Sequence, residues 1–245
     1  MIAATMIAAL RSLITYVVIL VYIAVVGPFG LAAAVFFGAI NLLFALGHAA
    51  IWLSLTLAGI RYRVHGREHL PKDAAVYCSN HESNVDPPVL FEVLHPRMRI
   101  LYKAELHNFP LMGRILDAGG FVPVDRANRE QAFAAIERGA ASIRAGHSFL
   151  IFPEGTRSRT GELLPFKKGG FVMAIQAQAP IVPVAVRGGR DSMRKGSAIV
   201  RPVKVTVRIG TPIPTAGLTL ADRDELITRV RAEVQKLLDA GPLWT

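Results

Sequence analysis

Between Ser12 and Ile60 the chain carries no Asp, Glu, Lys or Arg, and Arg11 is the one charged side chain of residues 1–60. A run of this length has no polar face to offer water, so its backbone must close its own hydrogen bonds in an apolar medium, which favours helices. Gly27-Pro28-Phe29-Gly30 is expected to divide it. Residues 2–26 would then span about 38 Å and residues 29–59 about 46 Å, at ~1.5 Å per residue. Both exceed a hydrocarbon core of about 30 Å, which permits two tilted spans or a hairpin dipping into one leaflet. Arg11 before the run and Arg61, Arg63 and Arg67 after it predict that both ends face the cytoplasm. A cleaved signal peptide fits badly, because the start lacks a basic region and the apolar stretch is too long. Membrane attachment is therefore the expected localisation.

The remaining charge is gathered in residues 61–245, where 27 basic side chains face 18 acidic ones, a net +9. That balance suits an anionic surface or phosphate-bearing ligands, or a generic basic solubilising surface. Nucleic acid is disfavoured, since basic and aromatic residues do not interleave and no binding motif occurs. Cys78, the single cysteine, excludes an internal disulfide and reads as a small buried side chain. The histidines are scattered without metal-ligand spacing, so no metal site is expected. Hydrolase elbow, nucleotide phosphate loop and dinucleotide fingerprint are all missing.

From residue 61 onward, apolar runs and amphipathic stretches alternate. Strands are expected at residues 61–65, 74–77, 98–102, 121–124, 148–152, 181–186 and 203–209, the last with one solvated face of Lys204, Thr206 and Arg208. Helices are expected at 89–94, 110–117, 168–177 and 219–240, with another opened by an Asn128/Gln131 capping box and running through Ala145. The pattern predicts an α/β fold, a mostly parallel sheet flanked by helices, with an N-terminal apolar two-helix membrane hairpin. Residues 60–61 divide the hairpin, 1–60, from the second domain, 61–245.

The first strand-to-helix loop of that domain, Cys78-Ser79-Asn80-His81-Glu82-Ser83-Asn84-Val85-Asp86-Pro87-Pro88, carries a histidine and, five residues on, an aspartate. Two readings fit. Asp86-Pro87 makes a good helix start, with His81 an ordinary loop residue. Alternatively Asp86 returns to His81, fixes its tautomer and lets it act as general base toward a substrate hydroxyl.

Asn80-His81-x-Ser83-x-x-Asp86 resembles the first motif of the glycerolipid acyltransferases, typified by 1-acyl-sn-glycerol-3-phosphate acyltransferases. Lys103-x-Glu105-Leu106 with Pro110 and Gly113, followed by Gly120-Phe121-Val122-Pro123-Val124-Asp125-Arg126, is similar to the second block. Phe152-Pro153-Glu154-Gly155-Thr156-Arg157-Ser158 resembles the third, and Ile181-Val182-Pro183-Val184 the fourth. The four stand in family order over residues 74–187.

The resemblance implies a membrane enzyme of phospholipid biosynthesis. It would transfer an acyl group from acyl-CoA or acyl-carrier protein, with no further cofactor, to the 2-hydroxyl of lysophosphatidic acid, giving phosphatidic acid. It also favours the one-leaflet hairpin. His81 would be the base and Asp86 its partner, with backbone N–H groups near Gly155 as oxyanion donors. Arg157 and Arg126 would fork onto the acceptor's phosphate. Glu154 would order the loop or bind a glycerol hydroxyl, Gly155 would permit a tight turn, and Thr156 belongs to the same substrate-facing run. Lys103 would add positive charge or remain a solvated lysine. Glu82 is a departure, standing where the family often has an uncharged residue; it would raise the histidine's pKa. The rival readings are another lysolipid acceptor, such as an amino-acid-derived lyso-ornithine lipid, and a non-catalytic lipid-binding module tethered to the membrane.

Overall fold

The computed structural model describes residues 2–94, 96–125, 128–193 and 197–244. The apolar run forms two helices, α1 (Ile2–Phe37) and α2 (Ile40–Ala58). Each is long and apolar enough to cross a membrane. Their large side chains, among them Leu20, Phe29, Phe36, Phe37 and Trp52, face outward.

The division falls at Gly38-Ala39, not at the Gly27–Gly30 stretch. Pro28 lies inside α1. Its ring holds a helix-compatible φ and removes one N–H donor, a loss that apolar helices tolerate. Gly38 instead takes φ +65°, and Ala39 N–H returns to the Ala33 carbonyl, which stops the helix. The second helix is thereby only about 29 Å long at ~1.5 Å per residue. Arg11 donates to the Leu57 carbonyl at 3.1 Å, so the lone charge sits on the C-terminal turn of α2, where carbonyl dipoles favour a cation.

The rest is the expected α/β layer. Its strands are β1 (Arg61–His65), β2 (Val76–Ser79), β3 (Arg99–Lys103), β4 (Val122–Val124), β5 (Phe149–Ile151), β6 (Ile181–Arg187) and β7 (Lys204–Ile209). They form one sheet in the order β1-β7-β6-β2-β5-β3-β4. Every neighbouring pair is parallel except β6 and β7. The helices α3 (Asp86–Val93), α4 (Pro110–Ala118), α5 (Arg129–Arg144), α6 (Gly169–Ala177) and α7 (Arg223–Asp239) flank it. Thr219 caps the short 3-10 turn Leu220–Asp222 that leads into α7.

Successive residues of β2 point to opposite faces, yet all are buried, which is why the strand reads as a continuous apolar run. Val76 and Cys78 meet Phe149, Phe171, Met173, Val230 and Val234 on the face covered by α5, α6 and α7. Ala75 and Tyr77 meet Val89, Leu90, Val182 and Val184 on the other, together with Leu55 and Ala58 of α2. The hairpin therefore shares the core of the sheet's second face. Ser12 of α1 also accepts from Val200 N–H at 2.8 Å, and the Tyr16 hydroxyl donates to the Ala198 carbonyl. Thr206 departs from the expected solvated face of β7: it is buried, because the C-terminal segment folds over it and Leu243 N–H donates to its hydroxyl.

Candidate active site

Because β2, β5, β6, β3 and β4 run parallel, their C-terminal ends lie on one edge of the sheet. That edge gathers His81, the Phe152–Ser158 run, the Gly188–Arg190 turn and Lys103. Loops at this edge are where such sheets keep their sites.

His81 and Asp86 are paired. His81 Nδ1 lies 2.9 Å from Asp86 Oδ2, and the same oxygen accepts from the backbone N–H groups of Glu82 and Ser83 at 2.7 Å each. Asp86 is fully buried at the first turn of α3. Its carboxylate thus turns back into the loop, with Val85 at the capping position. The hydrogen-bond pattern places the imidazole proton on Nδ1 and leaves Nε2 with its lone pair. Nε2 bonds to no described residue. The ring stacks on Phe152, with centroids 4.2 Å apart, which fixes its plane. Asn80 completes the frame: its side-chain amide exchanges two 2.8 Å hydrogen bonds with the backbone of Val186, prolonging the β2–β6 pairing beyond Ser79.

Glu154 faces inward. Its Oε1 accepts from His81 N–H at 2.8 Å and its Oε2 from Leu164 N–H at 3.1 Å, which braces the two loops against each other. Burial pushes its carboxyl above the ordinary Glu value, opposed by those two N–H donors. Gly155 takes φ +69°, a left-handed conformation that favours glycine in this tight turn. Its own N–H is spent on the Phe152 carbonyl at 3.0 Å. The N–H groups of Thr156 and Arg157 make no hydrogen bond with the described residues and are the remaining donors of this loop. Thr156 is exposed and Arg157 half-buried. Ser158 N–H donates to the His81 carbonyl at 2.8 Å, which joins the two loops directly. Lys103 is exposed and ion-paired with Glu105 at 2.7 Å. Arg126 lies outside the described residues.

Chain neighbours of the pair line two cavities. A polar one of about 280 Å³ is lined by Glu82, Arg157, Ser158, Arg159, Arg190 and Met193, with Asp191 at its wall. Arg159 and Arg190 were missed in the sequence, as both lie outside the motif blocks. The other, of about 400 Å³, is almost wholly apolar and begins at Pro87 and Pro88, directly after Asp86. It runs between α1, α2, α3 and α4, past Tyr22, Phe44, Gly47 and Phe121. Glu82 is also buried: its Oε1 accepts from Gly189 N–H at 2.8 Å, and burial first, then the neighbouring Asp86, raises its carboxyl. Its charge is thus directed at the Gly188–Arg190 turn.

Among solved structures, the crystal structure of the 1-acyl-sn-glycerophosphate (LPA) acyltransferase PlsC from Thermotoga maritima shares the fold. Its TM-score is 0.85 at 24% identity, covering 99% of both chains. Among curated proteins, 1-acyl-sn-glycerol-3-phosphate acyltransferase of Limnanthes douglasii is 35% identical over 75% of this chain and 66% of its own. The alpha form from Homo sapiens is 36% identical over 71% of this chain and 62% of its own. The Saccharomyces cerevisiae protein is 31% identical over 76% and 65%. The chain thus spans less than two thirds of the length of these curated relatives. The acyltransferase family profile matches residues 61–187, which contain both the His81–Asp86 loop and the Phe152–Ser158 run joined to it. With more than half of its length matched in this way, and those two loops bound together at the sheet edge, the chain is a member of the acyltransferase family.

Proposed function

We propose that the protein is a membrane-attached 1-acyl-sn-glycerol-3-phosphate O-acyltransferase that converts lysophosphatidic acid to phosphatidic acid. The observation that carries this reading is that Glu82, next to His81, lines an arginine-lined pocket, while Pro87, next to Asp86, lines an apolar cavity. One suits the phosphate of the acceptor, and the other a hydrocarbon chain. The naming of the curated relatives supports the same acceptor. A binding-only protein would have no use for an imidazole held in one tautomer with Nε2 facing away from its partner.

In the proposed reaction, Nε2 takes the proton from the acceptor's 2-hydroxyl as its oxygen attacks the thioester carbonyl. Asp86 stabilises the imidazolium that forms, and the oxyanion is met by the Thr156 and Arg157 N–H groups. Collapse of the tetrahedral intermediate breaks the C–S bond, and the thiolate recovers the proton from Nε2. Acyl-CoA and acyl-carrier protein both supply such a thioester. Arg157 holds the acceptor's phosphate. Residues 1–60 anchor the chain in the bilayer, with the catalytic residues 61–245 on the cytoplasmic face.

Purified full-length protein in detergent, given a thioester donor and a panel of lysolipids, should form phosphatidic acid in preference to every other product. Transfer to a phosphate-free or amino-acid-derived lysolipid at a higher kcat/KM would replace the acceptor. Absence of transfer to any acceptor from either donor would defeat the reading.

A further inference from the structure

Glu82 and Arg190 take no part in the proton transfer described above, yet the fold commits unusual local structure to joining them. Gly188 takes φ +98°, and a Cβ there would lie 2.3 Å from the Lys204 carbonyl oxygen. A Cβ on Gly189 would lie 2.6 Å from Asp86 Oδ1. The turn after β6 therefore threads a gap that admits only glycine, with its backbone against the catalytic carboxylate. Glu82 holds it there, its Oε1 accepting from Gly189 N–H at 2.8 Å and Arg190 N–H at 3.4 Å. Arg190 emerges from the turn into the polar pocket, where its Nη1 donates to the Thr160 carbonyl. That contact pins the guanidinium against the 157–160 segment. Arg157 and Arg159, on the same segment, form no ion pair or hydrogen bond with the described residues.

We propose that Arg190 is a second phosphate-reading arginine, closing a clamp with Arg157 and Arg159 on the dianionic monoester of the acceptor, and that Glu82 is the positioning residue that sets it. This rests on the phosphate-bearing acceptor proposed above. The charge sum supports an anion: three guanidiniums face Asp191, which is exposed, and Glu82, whose carboxylate is turned to backbone N–H groups. Guanidinium forks match a phosphate's oxygens two at a time, and two forks from different loops enclose more of the tetrahedron than one. The device also couples recognition to chemistry. The catalytic loop, through Glu82, and the strand-end turn, through Gly189 against Asp86, fix the distance from clamp to base. A hydroxyl on the carbon next to the phosphate-bearing one is thereby presented to His81 Nε2.

The test uses the full-length protein in detergent and two readouts. Phenylglyoxal labelling of arginines, located by peptide mass spectrometry, is run with and without sn-glycerol 3-phosphate. The ligand should shield Arg157 and Arg190 together. Arg190→Ala should lower kcat/KM for lysophosphatidic acid about 10- to 100-fold, mainly through KM, the scale of one lost charged hydrogen bond. The thioester's KM should stay within about twofold, and Arg190→Lys should recover part of the loss. Glu82→Ala should raise the acceptor's KM as Arg190→Ala does, whereas Glu82→Gln, which keeps an accepting oxygen, should not. Shielding of Arg157 without Arg190, or an unchanged acceptor KM in Arg190→Ala, overturns the clamp. Shielding by coenzyme A but not by glycerol 3-phosphate, with a raised thioester KM, gives the pocket to the donor and equally overturns it. A normal acceptor KM in Glu82→Ala removes the positioning role. If wild-type protein fails to acylate lysophosphatidic acid while glycerol 3-phosphate still shields both arginines, the clamp stands and the activity reading falls.

Discussion

Replacing Glu154 by Ala separates a residue that holds the His81–Asp86 loop from one that contacts the acceptor. The side chain is 3% exposed, and its two oxygens accept from His81 N–H and Leu164 N–H. Hydrogen bonds to a charged acceptor contribute about 1.5–3 kcal/mol each, so removing both costs about 3–6 kcal/mol. Deletion also relieves the burial of a carboxylate, which offsets part of that loss and leaves a net destabilisation of about 2–4 kcal/mol. In a domain of this size that lowers Tm by roughly 4–16 °C. Gln keeps one accepting oxygen but aims an NH2 donor at one of the two N–H groups, so it should fall between wild type and Ala. Because one of the freed N–H groups belongs to His81, the imidazole loses its placement, and a displacement of ~1 Å costs about 10²-fold in kcat. The assay is thermal unfolding in detergent together with initial rates against lysophosphatidic acid. A Glu154→Ala protein with unchanged Tm and kcat but a raised acceptor KM would refute the reasoning, since that is the signature of a contact to substrate.

Four further expectations follow from the same geometry. His81→Ala in folded protein should lower kcat by about 10² to 10⁴, the usual contribution of a positioned base, and near-normal turnover would end its assignment. Cys78 is fully buried in β2, and burial together with Glu154 pushes its thiol far up, so Cys78→Ala should stay active with ternary-complex kinetics; a trapped acyl adduct on it would contradict direct transfer. Gly47 lines the apolar cavity with open space beside its Cα, so Gly47→Leu should shorten the preferred hydrocarbon chain by about two to four carbons; an unchanged chain-length profile would take the cavity out of the substrate's path. Glu82 is raised above its ordinary 4.5, so between that value and its native one the folded protein holds a proton the unfolded chain has lost, and stability falls as pH rises through the window; Tm against pH for Glu82→Gln should show a shallower slope, and an unaltered one would place the carboxylate's charge elsewhere.

Much of this fold was legible locally. The charge-free run, the alternating strands and helices, and a histidine and an aspartate in one strand-to-helix loop are short-range patterns, and beyond residue 60 each expected element appears within a few residues of its place. The His81–Asp86 contact is similarly local, since five residues of loop are enough to bring the two side chains together. The place where the apolar run divides was not legible, because Gly and Pro mark both Gly27–Gly30 and Gly38 as breaks. What decides is which backbone the surroundings allow to leave the helix: Gly27 packs near Ile115 and Leu111 of α4, whereas nothing crowds Gly38.

The tertiary structure alone decided the rest, because it depends on partners far apart along the chain. β7 runs antiparallel to β6 and then pairs with β1, more than 130 residues earlier. No periodicity encodes that choice, since one half-buried strand pattern serves either direction. Thr206 alternates like a solvated residue, and only the returning C-terminal segment buries it. Composition marks Glu82, Glu154 and Arg190 simply as charged loop residues. Their roles follow from direction: two carboxylates are drawn inward by backbone N–H groups of loops more than 70 and 100 residues away along the chain, and one guanidinium is set outward at the pocket. A sequence specifies which groups can ionise or donate, but their partners are chosen when the sheet brings the strand ends to one edge, because buried donors and acceptors must then be satisfied by whatever lies beside them.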